Sequence, residues 1–185
     1  MRIKRMVSII FAFIIAFTMG KLLVSVLTPP VLPVGAKAPQ FEYKNTHGEK
    51  VIFQSHDFDI VMFFNTACEH CVYQLELLNA NIETIAPAKL YLMTPEENYQ
   101  QHEKFTKWKH LNTSGRVIWG TTRLKTIKQH FGNPATPSFY IFQDGRLKTK
   151  FYGEVKLERL VEMLKIKKQI DRVDGHNMSS LKGLD

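Results

Sequence analysis

The stretch Phe63-Phe64-Asn65-Thr66-Ala67-Cys68-Glu69-His70-Cys71 holds the only two cysteines of the chain, two residues apart and directly after an apolar run. Thiols at this spacing close into a small disulfide ring and reopen, and a helix starting at the first cysteine stabilises its thiolate through exposed N–H groups and the macrodipole. The pattern points to redox chemistry. An inert structural disulfide is the plainer alternative, but closing so short a loop removes little chain entropy. Zinc or copper held by Cys68 and Cys71 with His70, His102 or His110 is a third reading, although a structural tetrahedral site wants a second spaced pair that this chain lacks. Haem attachment needs His directly after the second cysteine, where Val72 stands.

Working outward, Asp59 leads into Ile60-Val61-Met62-Phe63-Phe64, apolar on both faces as a central parallel strand must be. Val72, Leu75, Leu78, Ile82 and Ile85 then recur at helical spacing as far as Pro87. This is a strand-turn-helix unit with the cysteines at the carboxyl end of the strand, the edge where open α/β sheets build their sites. Leu90 to Met93 predicts a second strand. Thr94-Pro95-Glu96-Glu97 carries a capping pattern and predicts a helix ending near His110. Val117 to Trp119 predicts a third strand, followed by a short helix with Leu124, Ile127 and Phe131 on one face, stopped by Gly132-Asn133-Pro134.

Two hairpins flank this core. Phe41 to Tyr43 and Val51 to Phe53 surround Asn45-Thr46-His47-Gly48, and Ser138 to Phe142 and Lys148 to Tyr152 surround Gln143-Asp144-Gly145-Arg146, where Asp-Gly suits a primed turn. A last amphipathic helix places Leu157, Leu160, Val161 and Leu164 inward and Lys156, Arg159, Glu162 and Lys165 outward. The expected class is α/β, a mixed central sheet flanked by helices.

The first 28 residues read differently. Met1 to Met6 carries three cations, and Val7 to Leu27 is almost wholly apolar, a length close to the ~20 residues that cross a bilayer. A cleaved signal peptide would use Val7 to Phe17, but no A-x-A site follows Phe17, so the expectation is one uncleaved transmembrane anchor. Lys21 is its weakness, since a cation in the span costs ~2.5 kcal/mol or more unless it snorkels. The basic leader stays cytoplasmic by the positive-inside rule, which puts the rest on the extracytoplasmic, periplasmic side, where disulfide chemistry is permitted. Residues 29–34 form a Pro-rich spacer, 35–170 a single domain, and 171–185 a loose polar tail.

At 185 residues, with 44% hydrophobic and 23% charged, the chain has material for one ordinary core. The formal charge is +8, but Arg2, Lys4, Arg5 and Lys21 precede the first acid, Glu42, leaving 21 Lys and Arg against 17 acids. The remaining cations alternate with Glu154, Glu158, Glu162, Asp171 and Asp174, the pattern of a solvated helix face, so no nucleic-acid partner is expected.

The strand and helix order, Cys68-x-x-Cys71 after the first core strand, and Thr136-Pro137 before a later strand together resemble the thioredoxin superfamily. Gly35-Ala36-Lys37-Ala38-Pro39-Gln40-Phe41 is similar to the G-x-x-A-P-x-F opening of the redoxin, TlpA/ResA-like branch, whose members are commonly membrane-tethered extracytoplasmic thiol-disulfide oxidoreductases. The resemblance implies a thioredoxin-like fold, a redox-active Cys68–Cys71 disulfide, protein thiols or disulfides as substrates, a membrane redox partner, and no cofactor or metal. It implies that Pro137 is cis and that Thr136 and Pro137 line the substrate groove. Cys68 would attack and Cys71 resolve, with Glu69 and His70 tuning the pair in opposite senses and the reducing direction favoured. A copper-handling metallochaperone or a redox-silent interaction domain on the same scaffold is the alternative.

The sequence departs from the family in three places. Thr66-Ala67 replaces the usual Trp, Glu69-His70 mixes a ResA-like Glu with a DsbA-like His, and Gln74 stands where ResA-like members carry a functional Glu. A peroxiredoxin pattern would need Pro and Thr where Val61 and Asn65 stand. His47, His56, His102, His110, His130 and His176 read as surface or locally bonded residues. Trp108, Trp119, Phe63, Phe64, Phe139 and Tyr140 read as packing.

Overall fold

The computed structural model describes residues 11, 13–20, 31–55 and 57–163. Its centre is a seven-stranded sheet of order β2-β1-β5-β4-β3-β6-β7. The strands are β1 (Phe41–Asn45), β2 (Lys50–Phe53), β3 (Phe58–Phe63), β4 (Lys89–Thr94), β5 (Val117–Thr121), β6 (Ser138–Gln143) and β7 (Arg146–Tyr152). β3, β4 and β5 pair in parallel, while β6 runs antiparallel to β3 and the β1–β2 hairpin joins antiparallel to β5. The sheet is therefore mixed.

Both faces of the sheet are covered, which is why its central strands are apolar without alternation. Ile60, Met62, Leu90, Leu92, Phe139 and Ile141 face one core with Leu75 and Leu78 of helix α1 (Glu69–Asn81) and Leu111 of helix α2 (Lys109–Thr113). The residues between them in sequence, Val61, Phe63, Tyr91, Met93, Tyr140 and Phe142, face a second core with Ile127 and Phe131 of helix α3 (Leu124–Phe131). Successive strand side chains point to opposite faces, so one apolar run serves two cores. Each such side chain taken fully out of water contributes roughly 1.5–3 kcal/mol.

The hairpin turn between β6 and β7 has Asp144 at φ 51° and Gly145 at φ 70°, the left-handed pair that a primed turn requires. α1 ends at Asn81 and continues as a 3₁₀ turn, Ile82–Ile85. Residues 157–163 are helical, with Leu160 buried and Lys156, Arg159 and Glu162 exposed.

The expected helix from Thr94 to His110 does not form as one element. Two 3₁₀ turns, Tyr99–Gln101 and Phe105–Lys107, precede the short α2. Aromatic packing explains the break. The Tyr99 and Trp108 rings both stack near-parallel with the Trp119 ring, at 5.8 and 5.9 Å between centroids. Nine residues of straight α-helix would put those two side chains about half a turn apart. Thr94 is instead the last residue of β4, and its Oγ1 accepts the Glu96 N–H in a local turn.

Among the described residues no helix is long and apolar enough to cross a membrane. Residues 13–20 of the expected Val7–Leu27 span are helical, with Phe13, Ile14, Ile15, Phe17 and Met19 exposed. The basic leader, the remainder of that span apart from Phe11, Thr28, Pro29 and Pro30 at the start of the spacer, His56, the far end of the last helix with Leu164 and Lys165, and the tail 171–185 with His176 lie outside the described residues.

Candidate active site

Strand register gathers four loops at one edge of the sheet. Phe63, the last residue of β3, pairs with Ser138, the first of β6, and Ser138 in turn pairs with Tyr152, the last of β7. The loop 64–68 leaving β3, the Thr136-Pro137 loop entering β6 and the segment leaving β7 are thereby neighbours. The loop leaving β4 joins them, because β4 runs parallel to β3 in register, Phe63 beside Met93.

Cys68 is the N-cap of α1, in extended conformation at φ −94° and ψ 112°. It is half-buried and free, and its thiol donates to the Thr136 carbonyl at 3.6 Å. The Thr136–Pro137 bond is cis. Thr136 thus meets Cys68 through its backbone. Cys71, one turn into α1, is also free but fully buried. Burial pushes its thiol up to about 12, partly opposed by hydrogen bonds from the Asn65 backbone and the Thr136 side chain. The two sulfurs therefore differ sharply: one faces the edge of the site, the other sits in the core against Val72 and Leu75.

Asn65 shapes the approach to the cysteines. Its Oδ1 accepts the Ala67 N–H at 2.7 Å and its carbonyl accepts the Cys68 N–H at 3.2 Å, an Asx turn that aims the chain into the helix. Glu96, in the loop after β4, accepts the Thr66 N–H on Oε2 at 2.9 Å. Glu69 is exposed in the first turn of α1. His70 is exposed too, and its Nδ1 lies 2.6 Å from Glu154 Oε1 in the segment after β7.

Gln74 is fully buried one turn beyond Cys71. Its Nε2 donates to the Val155 carbonyl at 3.2 Å and its Oε1 accepts the Val155 N–H at 2.8 Å. An ionised carboxylate accepts only, so Glu could not make both bonds. The position is structural in this chain.

Glu96, Glu154 and the role of Gln74 are the features that sequence reading missed. Glu96 stands inside the Thr94-Pro95-Glu96-Glu97 capping pattern, which points to a helix of its own. Glu154 has no local signal, since its partner is 84 residues away. The Asx turn at Asn65 is legible in principle, as an Asn three residues before the helix N-cap Cys68. Beside the cis-proline loop, Phe131, Asn133, Pro134, Ala135, Tyr152 and Val31 line a groove of about 240 Å³. Among the described residues, no group of three His, Cys, Asp or Glu side chains gathers as a metal centre would need. Trp108, Trp119, Phe63, Phe64, Phe139 and Tyr140 are all buried packing residues.

No family model matches the chain, and no curated protein matches it. Solved structures do. A candidate protein disulfide isomerase from Bacteroides thetaiotaomicron aligns over 75% of this chain and 91% of its own, at 15% identity and a TM-score of 0.56. StoA from Bacillus subtilis aligns over 72% and 98%, at 18% identity and a TM-score of 0.53. ScoI from Arabidopsis thaliana, solved with copper bound, aligns over 72% and 99%, at 14% identity and a TM-score of 0.54. At these identities the likeness is one of fold, and it agrees with the strand order, the cysteine helix and the cis-proline loop: this chain has a thioredoxin-like fold.

Proposed function

We propose that this chain is a thiol-disulfide oxidoreductase of the TlpA/ResA-like kind, held at the cytoplasmic membrane by its N-terminal helix with the domain outside, and reducing disulfides of protein substrates. The observation that carries the reading is the asymmetry of the pair: a half-buried Cys68 at a helix N-terminus beside the Thr136 carbonyl, and a fully buried Cys71 whose thiol is held protonated.

That asymmetry assigns the steps. The Cys68 thiolate, at the N-terminus of α1 where the helix dipole favours negative charge, attacks a substrate disulfide. A Cys68–substrate S–S bond forms, the substrate S–S bond breaks, and the departing sulfur takes a proton. Cys71 then loses its proton and attacks Cys68 Sγ, closing the Cys68–Cys71 disulfide and releasing the second substrate thiol. Two electrons pass to the substrate, and a dithiol partner at the membrane must return them. The cis-proline loop and the groove beside it supply the surface for an extended substrate chain. The exposed apolar helix at 13–20 supports the anchor. The reducing direction rests on the branch resemblance, and a measured potential near ~−270 mV rather than ~−120 mV is expected.

Insulin reduction tests the activity: wild type is expected to be active and Cys68→Ala inactive, and equal rates would sink the enzyme reading. Cys71→Ala should accumulate a mixed disulfide with substrate, and Cys68→Ala none. The reversed pattern would exchange the two roles. The fold likeness to a copper-bound protein supports a second reading, copper handling by the reduced pair. Copper bound stoichiometrically, with no disulfide reduction, would favour it.

A further inference from the structure

Three consecutive residues after β7 tie down both walls of the site. Gly153 N–H donates to the Pro137 carbonyl at 2.7 Å, Glu154 Oε1 lies 2.6 Å from His70 Nδ1, and the Val155 backbone exchanges two hydrogen bonds with the Gln74 side-chain amide. Gly153 turns the chain between these ties at φ 86°, a conformation that favours glycine. The backbone of Glu154 is therefore pinned on both sides, and its carboxylate meets the imidazole without the loop-ordering cost that weakens most exposed ion pairs. His70 itself is 74% exposed. Packing does not orient its ring, and the hydrogen bond to Glu154 does.

This matters for Cys68. An imidazole within the first turn of the helix that Cys68 caps supports the thiolate when it turns toward it. An imidazole whose Nδ1 is bonded to a carboxylate does not offer that nitrogen to the thiolate, and any positive charge on it is compensated locally. We propose that Glu154 is a positioning residue that holds His70 away from the Cys68 thiolate, making the pair more reducing than Cys68-Glu69-His70-Cys71 would be on a bare helix. The inference rests on the pair being redox-active.

The test is the equilibrium with glutathione, in which the Cys68–Cys71 bond forms as that of glutathione disulfide breaks, two electrons and two thiol protons passing to two glutathione thiols. Glu154→Gln is expected to shift this equilibrium toward the dithiol by about two- to five-fold, the size an exposed charge pair supplies, or about 9 to 21 mV more positive for a two-electron couple. In a His70→Ala background the same substitution should shift it by less than half as much. An unchanged or more negative potential in Glu154→Gln, or equal shifts with and without His70, overturns the positioning role. A wild-type pair that forms no reversible disulfide in glutathione or dithiothreitol buffers overturns the oxidoreductase reading instead.

Discussion

Gln74 and Val155, 81 residues apart, are joined in both directions, the side-chain amide donating to the Val155 carbonyl and accepting its N–H. The pair anchors the segment after β7 to the cysteine helix. Gln74→Leu keeps the volume but leaves two buried backbone groups unpaired, at about 1–3 kcal/mol each. Urea unfolding should show a loss of that order, and an unchanged midpoint would mean the groups find other partners.

Gln74→Glu asks the same question through pH. A fully buried carboxyl at this position has its folded-state pKa raised above the ~4.3 of the unfolded chain. The variant should be closest to wild type below that value and lose stability as pH rises through the folded-state pKa. Parallel stability curves for variant and wild type between pH 4 and 8 would contradict it.

Burial pushes the Cys71 thiol up to about 12, so it stays protonated at pH 8. Iodoacetamide should therefore modify Cys68 and spare Cys71 in the reduced protein, read by peptide mass spectrometry. Because the folded pKa lies above the unfolded one, the stability held by the protonated thiol is complete below about pH 8.5 and lost as pH rises toward 12, by up to ~1.4 kcal/mol per pH unit. Between about pH 8.5 and 10, before the buried Tyr91 and Tyr99 phenols add their own loss, Cys71→Ala should lose less stability than wild type.

Glu96 holds the Thr66 N–H two residues before Cys68. Glu96→Ala removes a hydrogen bond to a charged acceptor, expected to cost about 1.5–3 kcal/mol at most and less for its partial exposure. The Thr66 amide should exchange faster with solvent, and Glu96→Gln, which keeps an acceptor, should restore much of its protection.

Gly120 on β5 has no room for a methyl group. A Cβ there would lie 2.5 Å from the Tyr43 ring and 2.9 Å from Met93 Sδ. Gly120→Ala should destabilise by about 1–3 kcal/mol through overpacking between β1 and β4. A thermal midpoint equal to wild type would show that the hairpin yields.

Much of this architecture was legible because its signals are local. The run Ile60 to Phe64 declares a strand buried on both faces, Val72 to Ile85 declares a helix face, and Asp144-Gly145 declares a primed turn; each is a statement about a few adjacent residues. The segment 94–110 was misread because Thr94-Pro95-Glu96-Glu97 has the local form of a helix start, whereas Tyr99, Phe105 and Trp108 are drawn onto Trp119, a residue beyond the segment. Local propensity yielded to aromatic burial.

The candidate site divides in the same way. The amino-acid sequence alone determined that two thiols sit at the start of a helix, at the carboxyl end of a central strand, because spacing and periodicity are written in neighbouring residues. Helical spacing with Leu75 and Leu78 already put Cys71 on the inner face, whereas only the tertiary structure decided that the Thr136 carbonyl meets Cys68, that Glu96 holds Thr66, and that Glu154 holds His70 while Gln74 holds Val155. These are contacts across 30 to 84 residues of chain, set by strand register at one sheet edge. No local pattern encodes them, since each partner is an ordinary polar residue until the sheet brings it within hydrogen-bond reach.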